Sequence, residues 1–221
     1  MLNIQDLENK IINADCMDIL KQLPDKCVDL VLTDPPYGIG NKFTSDFGLH
    51  EIKKLRGTFD WNEKIPDNVI FDEILRVSKN QIIFGGNYFT EILKPTNAWI
   101  VWDKRGDLNL KNPFSDCELA WTSFKFPMKK YTVVNMGFIS QKDERGKRIH
   151  PTQKPCELFG QIIRDCSKPN DLILDCFSGS GTTAIAAHRL GRRFICIEKD
   201  EFYYQSSVKR LEEEQRQGRL L

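Results

Sequence analysis

Asp34-Pro35-Pro36-Tyr37 is the part of the chain whose residue types and spacing most directly indicate chemistry. It follows an apolar run over 28–33, which predicts a buried strand. The Asp34 carboxylate and a stiff backbone would then lie at the carboxyl edge of a sheet, where open α/β sheets bind ligands. The prolines donate no hydrogen bond, so nearby carbonyls can accept from a ligand, and Tyr37 offers a flat face for stacking. These groups suit a planar amine, such as the amino group of a nucleobase. The alternative is a proline-rich turn with an aspartate cap.

The second feature is a glycine-rich turn over 175–183, between a predicted strand and a predicted helix. Its two glycines let the backbone turn tightly and approach a ligand closely. The N–H groups at the start of the helix can hold an anion such as a carboxylate. A further predicted strand ends at Glu198, an acid placed to bind ribose hydroxyls. The full G-x-G-x-x-G pattern is absent because position 184 is Ala, and no Gly-Lys-Ser/Thr of a P-loop follows. A generic strand-to-helix turn stays open as the alternative.

The third feature is the sequence His-Pro-Thr-Gln-Lys-Pro at 150–155, which opens a predicted helix. Thr152 and Lys154 in a rigid extended turn can hold the carboxylate of a zwitterion. The simpler explanation is that Pro155 is a good first helical residue and Thr152 is part of the helix entry.

The elements that must position these residues alternate along the chain between short apolar runs and longer helical patterns. This alternation predicts an α/β fold, a mostly parallel sheet with helices on both faces. The segment 117–124 has the pattern of a late strand without a long helix before it, which predicts an antiparallel edge hairpin. The predicted strands are 28–33, 81–84, 98–102, 172–175 and 193–197, and the predicted helices are 17–22, 67–78, 155–167 and 181–190.

Length and composition narrow the function classes. The 221 residues predict a single domain over 1–221. The net charge is +1, so any nucleic-acid surface must be local. There is no run of about 18 apolar residues, and the N-terminal sequence does not resemble a signal peptide, so we expect a cytoplasmic protein without membrane contact. The seven cysteines contain no C-x-x-C pair, which argues against a disulfide framework or a zinc site. We predict no metal.

The three motifs together are far more specific than any one of them. In their order along the chain they resemble the β class of S-adenosylmethionine-dependent DNA amino-methyltransferases, and the resemblance extends from about Ile12 to Gln205. It implies a Rossmann-like methyltransferase fold with a circularly permuted motif order, in which the cofactor half follows the catalytic half. Upstream, Asn13-Ala-Asp15-Cys16 resembles the acidic motif of this family, although Asp15 also suits the N-cap of a helix.

The resemblance implies a role for each motif. Asp34 and the carbonyl of Pro35 would each accept a hydrogen bond from the target amine, while Tyr37 stacks on the base; the catalytic set is Asp34, Pro35, Pro36 and Tyr37. Glu198 would hold the ribose of S-adenosylmethionine and Asp15 its adenine amino group. The residues implied around this cofactor are Asp15, Cys16, Asp34, Thr152, Lys154, Asp175, Phe177, Gly179, Gly181, Thr182, Thr183 and Glu198.

An Asp at the head of the first motif favours adenine N6 as the target, since cytosine-N4 enzymes of this family more often begin the motif with Ser. A base inside double-stranded DNA cannot reach such a site unless it is flipped out. The resemblance therefore implies a site-specific DNA methyltransferase acting on adenine N6. The alternatives are a cytosine-N4 DNA methyltransferase and a catalytically silent DNA-binding module on the same fold.

Two long polar segments interrupt the alternation, at about 38–64 and 125–150. Loops of this length inside a compact domain are usually functional. The second segment carries seven basic and two acidic residues, a local charge of +5, which fits phosphate contacts. We predict that both segments contact DNA, with a solvated loop as the alternative for the second. The short insertion before His150 leaves open a short DNA site, a relaxed preference or help from a second copy in a homodimer.

Overall fold

The computed structural model describes residues 3–40, 62–108, 115–135 and 148–217. Within these ranges the strands are β1 (Lys10–Asn13), β2 (Val28–Thr33), β3 (Ser78–Phe84), β4 (Ile100–Asp103), β5 (Cys117–Thr122), β6 (Lys129–Thr132), β7 (Leu172–Asp175) and β8 (Arg193–Glu198). The helices are α1 (Ile4–Leu7), α2 (Cys16–Leu20), α3 (Asn68–Val77), α4 (Cys156–Cys166), α5 (Thr182–Arg189) and α6 (Glu201–Gln217).

The strands form one sheet in the order β1-β8-β7-β2-β3-β5-β4-β6. All neighbouring pairs are parallel except those that β5 makes with β3 and β4. The predicted α/β class and the mostly parallel sheet are confirmed. The antiparallel hairpin β4–β5 lies one strand in from the edge, because β6 pairs with β4 on its outer side.

Two of these strands have no counterpart in the predicted set. β1 is four residues long, and its burial does not follow a simple alternation. β6 begins with two lysines and falls inside the segment 125–150 that we expected to be a loop. Both are held by pairing with distant strands, β8 and β4, which a local hydrophobic pattern does not reveal.

Each face of the sheet is covered by helices over its own apolar core. One cluster joins α4, α5 and α6 to the sheet and includes Phe84 and Phe159, whose rings stack with centroids 5.4 Å apart. The cluster on the other face joins α2 and α3 to the sheet through residues such as Phe71 and Ile74. Because the sheet is covered on both faces, a ligand can reach it only at its edges, above all at the carboxyl ends of the parallel strands.

A buried carboxylate ties two of these strand ends together. Asp175, the last residue of β7, accepts hydrogen bonds from the hydroxyl of Thr33 on β2 (2.7 Å) and from the hydroxyl of Thr183 on α5 (2.5 Å). Its Oδ1 also accepts from the backbone N–H of Phe177 at 3.1 Å. Since Asp34 directly follows Thr33, this carboxylate links the first motif to the glycine-rich turn.

The buried and the exposed side of α3 should respond differently when a side chain on each is shortened to alanine. Ile74 is fully buried, whereas Val69 on the same helix is 50% exposed. Ile74→Ala should lower the free energy of unfolding by about 2–5 kcal/mol, because it removes buried methyl groups and leaves a cavity. Val69→Ala should stay within about 0.5 kcal/mol of the wild type. Urea denaturation of both variants measures this, and equal losses would contradict the assignment of the buried face.

The surroundings of Asp175 predict how stability depends on pH. Burial raises the pKa of this carboxyl from 3.8 to about 6, so between these values the folded protein binds more protons than the unfolded chain. Its contribution therefore makes stability fall as the pH rises from about 4 to about 6. Relative to Asp175→Asn, the wild type should lose about 2–3 kcal/mol across this window. Urea denaturation at a series of pH values tests this, and parallel profiles would contradict it.

Candidate active site

A cavity of about 570 Å³ opens at the carboxyl ends of β1, β2, β7 and β8. All three motifs contribute to its wall, although they are far apart in the sequence. The predicted site residues that line it are Asp15, Cys16, Asp34, Pro36, Thr152, Lys154, Asp175, Phe177, Gly179, Thr182 and Glu198. Pro35, Tyr37, Gly181 and Thr183 are neighbours of wall residues and are not themselves part of the wall. A volume of this size is typical of small-molecule and cofactor sites.

Asp34 is bonded at both carboxylate oxygens within the protein. The hydroxyl of Tyr37 donates to Oδ1, and the ammonium group of Lys154 donates to Oδ2, each at 2.5 Å. Burial raises the pKa of Asp34, and the positive charge of Lys154 works against that rise. Burial and the nearby Asp34 raise the pKa of Tyr37 well above its usual value, so the phenol keeps its proton and donates it to the carboxylate.

Lys154 also contacts a second carboxylate, that of Glu118 on β5, at 3.2 Å. The other oxygen of Glu118 accepts from the ammonium group of Lys104 at 3.0 Å. Burial disfavours the charge on Glu118, but Lys154 and Lys104 outweigh it and hold the pKa below its usual value. Burial likewise disfavours the charge on Lys154, but Asp34 and Glu118 raise its pKa. Two carboxylates and two ammonium groups therefore form one ionised cluster beside the cavity.

Tyr37 is fixed by groups that the sequence motifs do not include. Its backbone N–H donates to Oδ1 of Asn62 at 2.8 Å, and the amide of Asn62 donates in turn to the carbonyl of Gly40 at 3.0 Å. Its ring stacks on Tyr88 with centroids 4.9 Å apart. A Cβ at Gly85, which has a φ of +68°, would lie 2.1 Å from the Tyr37 ring, so only glycine fits there. One ring face of Tyr37 is thus covered by Tyr88 in this structure.

The glycine-rich turn forms the opposite wall. Gly181 has a φ of +75° and a Cβ there would come within 3.0 Å of Ser207, so its backbone can begin α5 only as glycine. Glu198 accepts the N–H of Gly179 at 2.7 Å and that of Asp200 at 2.8 Å, which orients its carboxylate at the cavity. Thr182 donates its hydroxyl to the carbonyl of Lys154 at 3.0 Å and thereby connects this turn to the third motif.

Asp15 and Cys16 lie at the start of α2. Asp15 is the N-cap, accepting the N–H of Met17 at 3.0 Å, and it also lines the cavity, so the N-cap role is compatible with a role in ligand binding. Burial raises the pKa of the Cys16 thiol to about 12, so it is neutral at pH 7. The hydrogen bonds of Asp175 and Thr183 join them to each other and to neighbouring parts of the fold. This pattern fits support of the cavity wall better than direct contact with a bound molecule.

Sequence reasoning missed several residues of this site. Glu118 interrupts an otherwise apolar strand, and that was the available signal. Asn62 and Tyr88 lie outside any motif. Arg210 on α6 donates to the carbonyl of Ser180 at 3.0 Å and to the Thr182 hydroxyl at 3.2 Å, so a residue near the end of the chain supports the glycine-rich turn.

The segments predicted to contact DNA are described only in part. Residues 41–61 and 136–147 lie outside the described residues, and with them Lys142, Arg145 and Lys147. Within the described part, Lys129 pairs with Asp165 and Lys130 with Asp103, so the local charge of +5 is partly balanced in the fold. DNA contact by these segments remains a prediction, as does the single-domain organisation.

In the described ranges, no group of three or more His, Cys, Asp or Glu is arranged to hold a metal ion. None of the helices described is both long and apolar enough to cross a membrane.

Comparisons with known proteins agree with this geometry. A family described as DNA methylase, N6_N4_Mtase, matches residues 70–209. Type II methyltransferase M.HinfI from Haemophilus influenzae is 31% identical, with 96% of this chain and 70% of that protein covered. Type II methyltransferase M1.MboII from Moraxella bovis is 30% identical, with coverages of 88% and 93%.

Among solved structures, the M1.HpyAVI–SAM complex superposes with a TM-score of 0.55 and 25% identity, covering 91% of this chain and 98% of that one. The residues matched by the family include most of α3, the third motif and the glycine-rich turn, and the two sequence relatives extend the similarity over most of the chain. With the fold, the cavity and the comparisons in agreement, the chain belongs to the N6/N4 DNA methylase family.

Proposed function

We propose that this protein transfers a methyl group from S-adenosylmethionine to N6 of an adenine flipped out of double-stranded DNA. The observation that carries this proposal is the position of Asp34. Asp34 directly follows the central strand β2 and lines the cavity beside the glycine-rich turn, so a hydrogen-bond acceptor suited to the amine lies next to a cofactor-sized space.

The cavity wall suits S-adenosylmethionine in its chemistry. Acidic side chains outnumber basic ones there, with Asp15, Asp34, Glu63, Asp175, Glu198 and Asp200 against Lys64, Lys154 and Lys199. An excess of negative charge favours a cofactor that carries a sulfonium and an ammonium group. When bound, this cofactor supplies an activated methyl group. We assign Glu198 to the ribose, Asp15 to the adenine amino group, and Phe177 with Gly179 to the methionine part.

The carboxylate of the cofactor has two sources of binding energy in this chain. One is the set of N–H groups at the start of α5 near Thr182 and Thr183, which favours an anion. The other is Thr152, whose hydroxyl lies 3.2 Å from Nδ1 of His150 and lines the cavity. We include Lys154 in this set, although its closest contacts in the structure are Asp34 and Glu118.

The difficulty of the reaction lies in the acceptor, because the lone pair of an exocyclic amine is delocalised into the ring of the base. Asp34 and the carbonyl of Pro35 would each accept one N–H of that amine, which favours a pyramidal nitrogen with its lone pair directed at the methyl group. Fixed acceptors of this kind act by positioning and by electrostatics. The hydroxyl of Tyr37 donates to Oδ1 of Asp34, and its ring would stack on the base with the face opposite Tyr88.

The choice of adenine rests on Asp34 at the head of the motif, and cytosine N4 is the second candidate because the family includes both reactions. Flipping the base costs a few kcal/mol, which contacts from the segments 38–64 and 125–150 would offset. A cytoplasmic location and a homodimer complete the proposal as expectations.

The proposed function predicts a specific product. The protein, incubated with mixed-sequence duplex DNA and S-adenosylmethionine carrying a labelled methyl group, should yield labelled N6-methyladenine after digestion to nucleosides and mass spectrometry. Asp34→Ala should lower the yield by about 100-fold or more, because it removes a fixed acceptor at the reacting amine. Asp72→Ala, at an exposed position on α3, should match the wild type.

Each other outcome has a distinct meaning. Labelled N4-methylcytosine would contradict the choice of adenine and keep the mechanism. Cofactor binding without labelled DNA would contradict DNA as the substrate. A protein that binds no cofactor would be a silent DNA-binding module.

A pair of glycine variants tests the cofactor assignment. Gly181 and Gly191 both have positive φ values, +75° and +64°, but a Cβ at Gly191 would meet nothing within 4 Å. Both Gly→Ala changes should therefore destabilise the fold. Only Gly181→Ala should displace the start of α5 and weaken S-adenosylmethionine binding, by about tenfold, equivalent to about 1.4 kcal/mol. Isothermal titration calorimetry measures this, and equal affinities in the two variants would contradict the assignment.

A further inference from the structure

Lys154 lies between two carboxylates with different relations to the cavity. Its Nζ is 2.5 Å from Oδ2 of Asp34 and 3.2 Å from Oε2 of Glu118. Asp34 and Lys154 are part of the cavity wall, whereas Glu118 is not. The side chain of Lys154 is only 6% exposed, so its positive charge must be balanced by these neighbours.

The direction of β5 explains why Glu118 is there. As the antiparallel strand between β3 and β4, β5 begins at the edge where the parallel strands end. Glu118 is its second residue and pairs with Trp102 on β4. Lys104, just beyond β4, holds its Oε1 at 3.0 Å, so the side chain is fixed with Oε2 facing Lys154. Oε2 is buried and its contact with Lys154 has the geometry of an ion pair without that of a hydrogen bond.

Because both carboxylates form an ion pair with the same ammonium group, the strength of the Lys154–Asp34 contact depends on Glu118. The other charged or titratable groups that face this cluster are Tyr37, which donates to Asp34, Lys104 and Arg148, which face Glu118, and Asp175, which faces Asp34. In the part of the chain that the structure describes, Glu118 is the one carboxylate besides Asp34 that forms an ion pair with Lys154.

We propose that Glu118 is a positioning residue that shares the charge of the Lys154 ammonium group with Asp34 and so keeps the Asp34 carboxylate a strong acceptor for the target amine. This role rests on the proposed function. If Glu118 were neutral, Asp34 alone would balance the charge of Lys154, which would strengthen their charge-assisted contact. The Asp34 carboxylate would then be a weaker acceptor for the amine.

Glu118→Gln tests this because it removes the charge and keeps the shape. Loss of a nearby negative charge should lower the pKa of Asp34, in line with the direction in which Glu118 acts on that group. The ¹³C NMR titration of the aspartate carboxyls measures this without DNA or cofactor, with the Asp34 signal identified from Asp34→Asn.

The same variant should transfer methyl groups about 3- to 10-fold more slowly in single turnovers, because acceptor strength falls with pKa. The acid limb of the rate profile should move to lower pH, since Asp34 ionises more readily. The KM for S-adenosylmethionine should stay within about twofold, because Glu118 does not line the cavity. Glu118→Asp, which keeps the charge, should recover part of the rate.

Asp116→Asn is the matched control, because Asp116 lies two residues away and pairs with Arg105 at 2.7 Å instead of with Lys154. It should leave both the pKa of Asp34 and the rate unchanged. An unchanged or raised pKa of Asp34 in Glu118→Gln would overturn the proposed role, as would a slower rate without a shift of the acid limb. A wild-type protein that transfers no methyl group would contradict the proposed function instead, which the titration does not depend on.

Discussion

The candidate site depends on one buried carboxylate, that of Asp175, because it joins the first motif to the glycine-rich turn. It accepts hydrogen bonds from Thr33 and Thr183, and these residues directly precede Asp34 and follow Thr182. The proposed acceptor for the amine and the start of α5 are thereby held to the same group. The carboxyl edge of a parallel sheet brings such residues near one another, and Asp175 fixes their relative position.

A second constraint on the site is the antiparallel direction of β5. A parallel strand next to β3 would bring its last residues to the cavity edge, whereas β5 brings its first. This direction places Glu118 within reach of Lys154, which belongs to the third motif and also contacts Asp34. The ionised cluster is therefore a product of sheet topology. No single motif contains more than one of its four charged residues.

The sequence was sufficient to locate those parts of the candidate site whose backbone geometry is determined by adjacent residues. Asp34-Pro-Pro-Tyr37, the glycine-rich turn and the third motif each contain their own geometry, since prolines, glycines and helix starts constrain the backbone over a few residues. β1 and β6 were missed because they are short and stabilised by distant partners. For the same reason, Glu118 and Asn62 could not be assigned: their roles come from contacts with residues 36 and 25 positions away. Lys129 and Lys130 have carboxylate partners in the fold, which the local charge pattern did not reveal.

The ionised cluster is difficult to explain by stability alone. Removing four charged groups from water costs several kcal/mol for each group. Replacing such a buried cluster with apolar residues of similar size often leaves the stability of a protein unchanged or raises it. Lys154 is nearly fully buried, and Glu118 and Lys104 are 26% and 15% exposed, so most of that cost applies here. A group of charges that contributes little to folding, yet surrounds the proposed acceptor of the amine, fits a role in the proposed chemistry. The positive charge of Lys154 opposes the rise that burial causes in the pKa of Asp34, and in the role we propose for Glu118 the second carboxylate limits how far that charge weakens Asp34 as an acceptor.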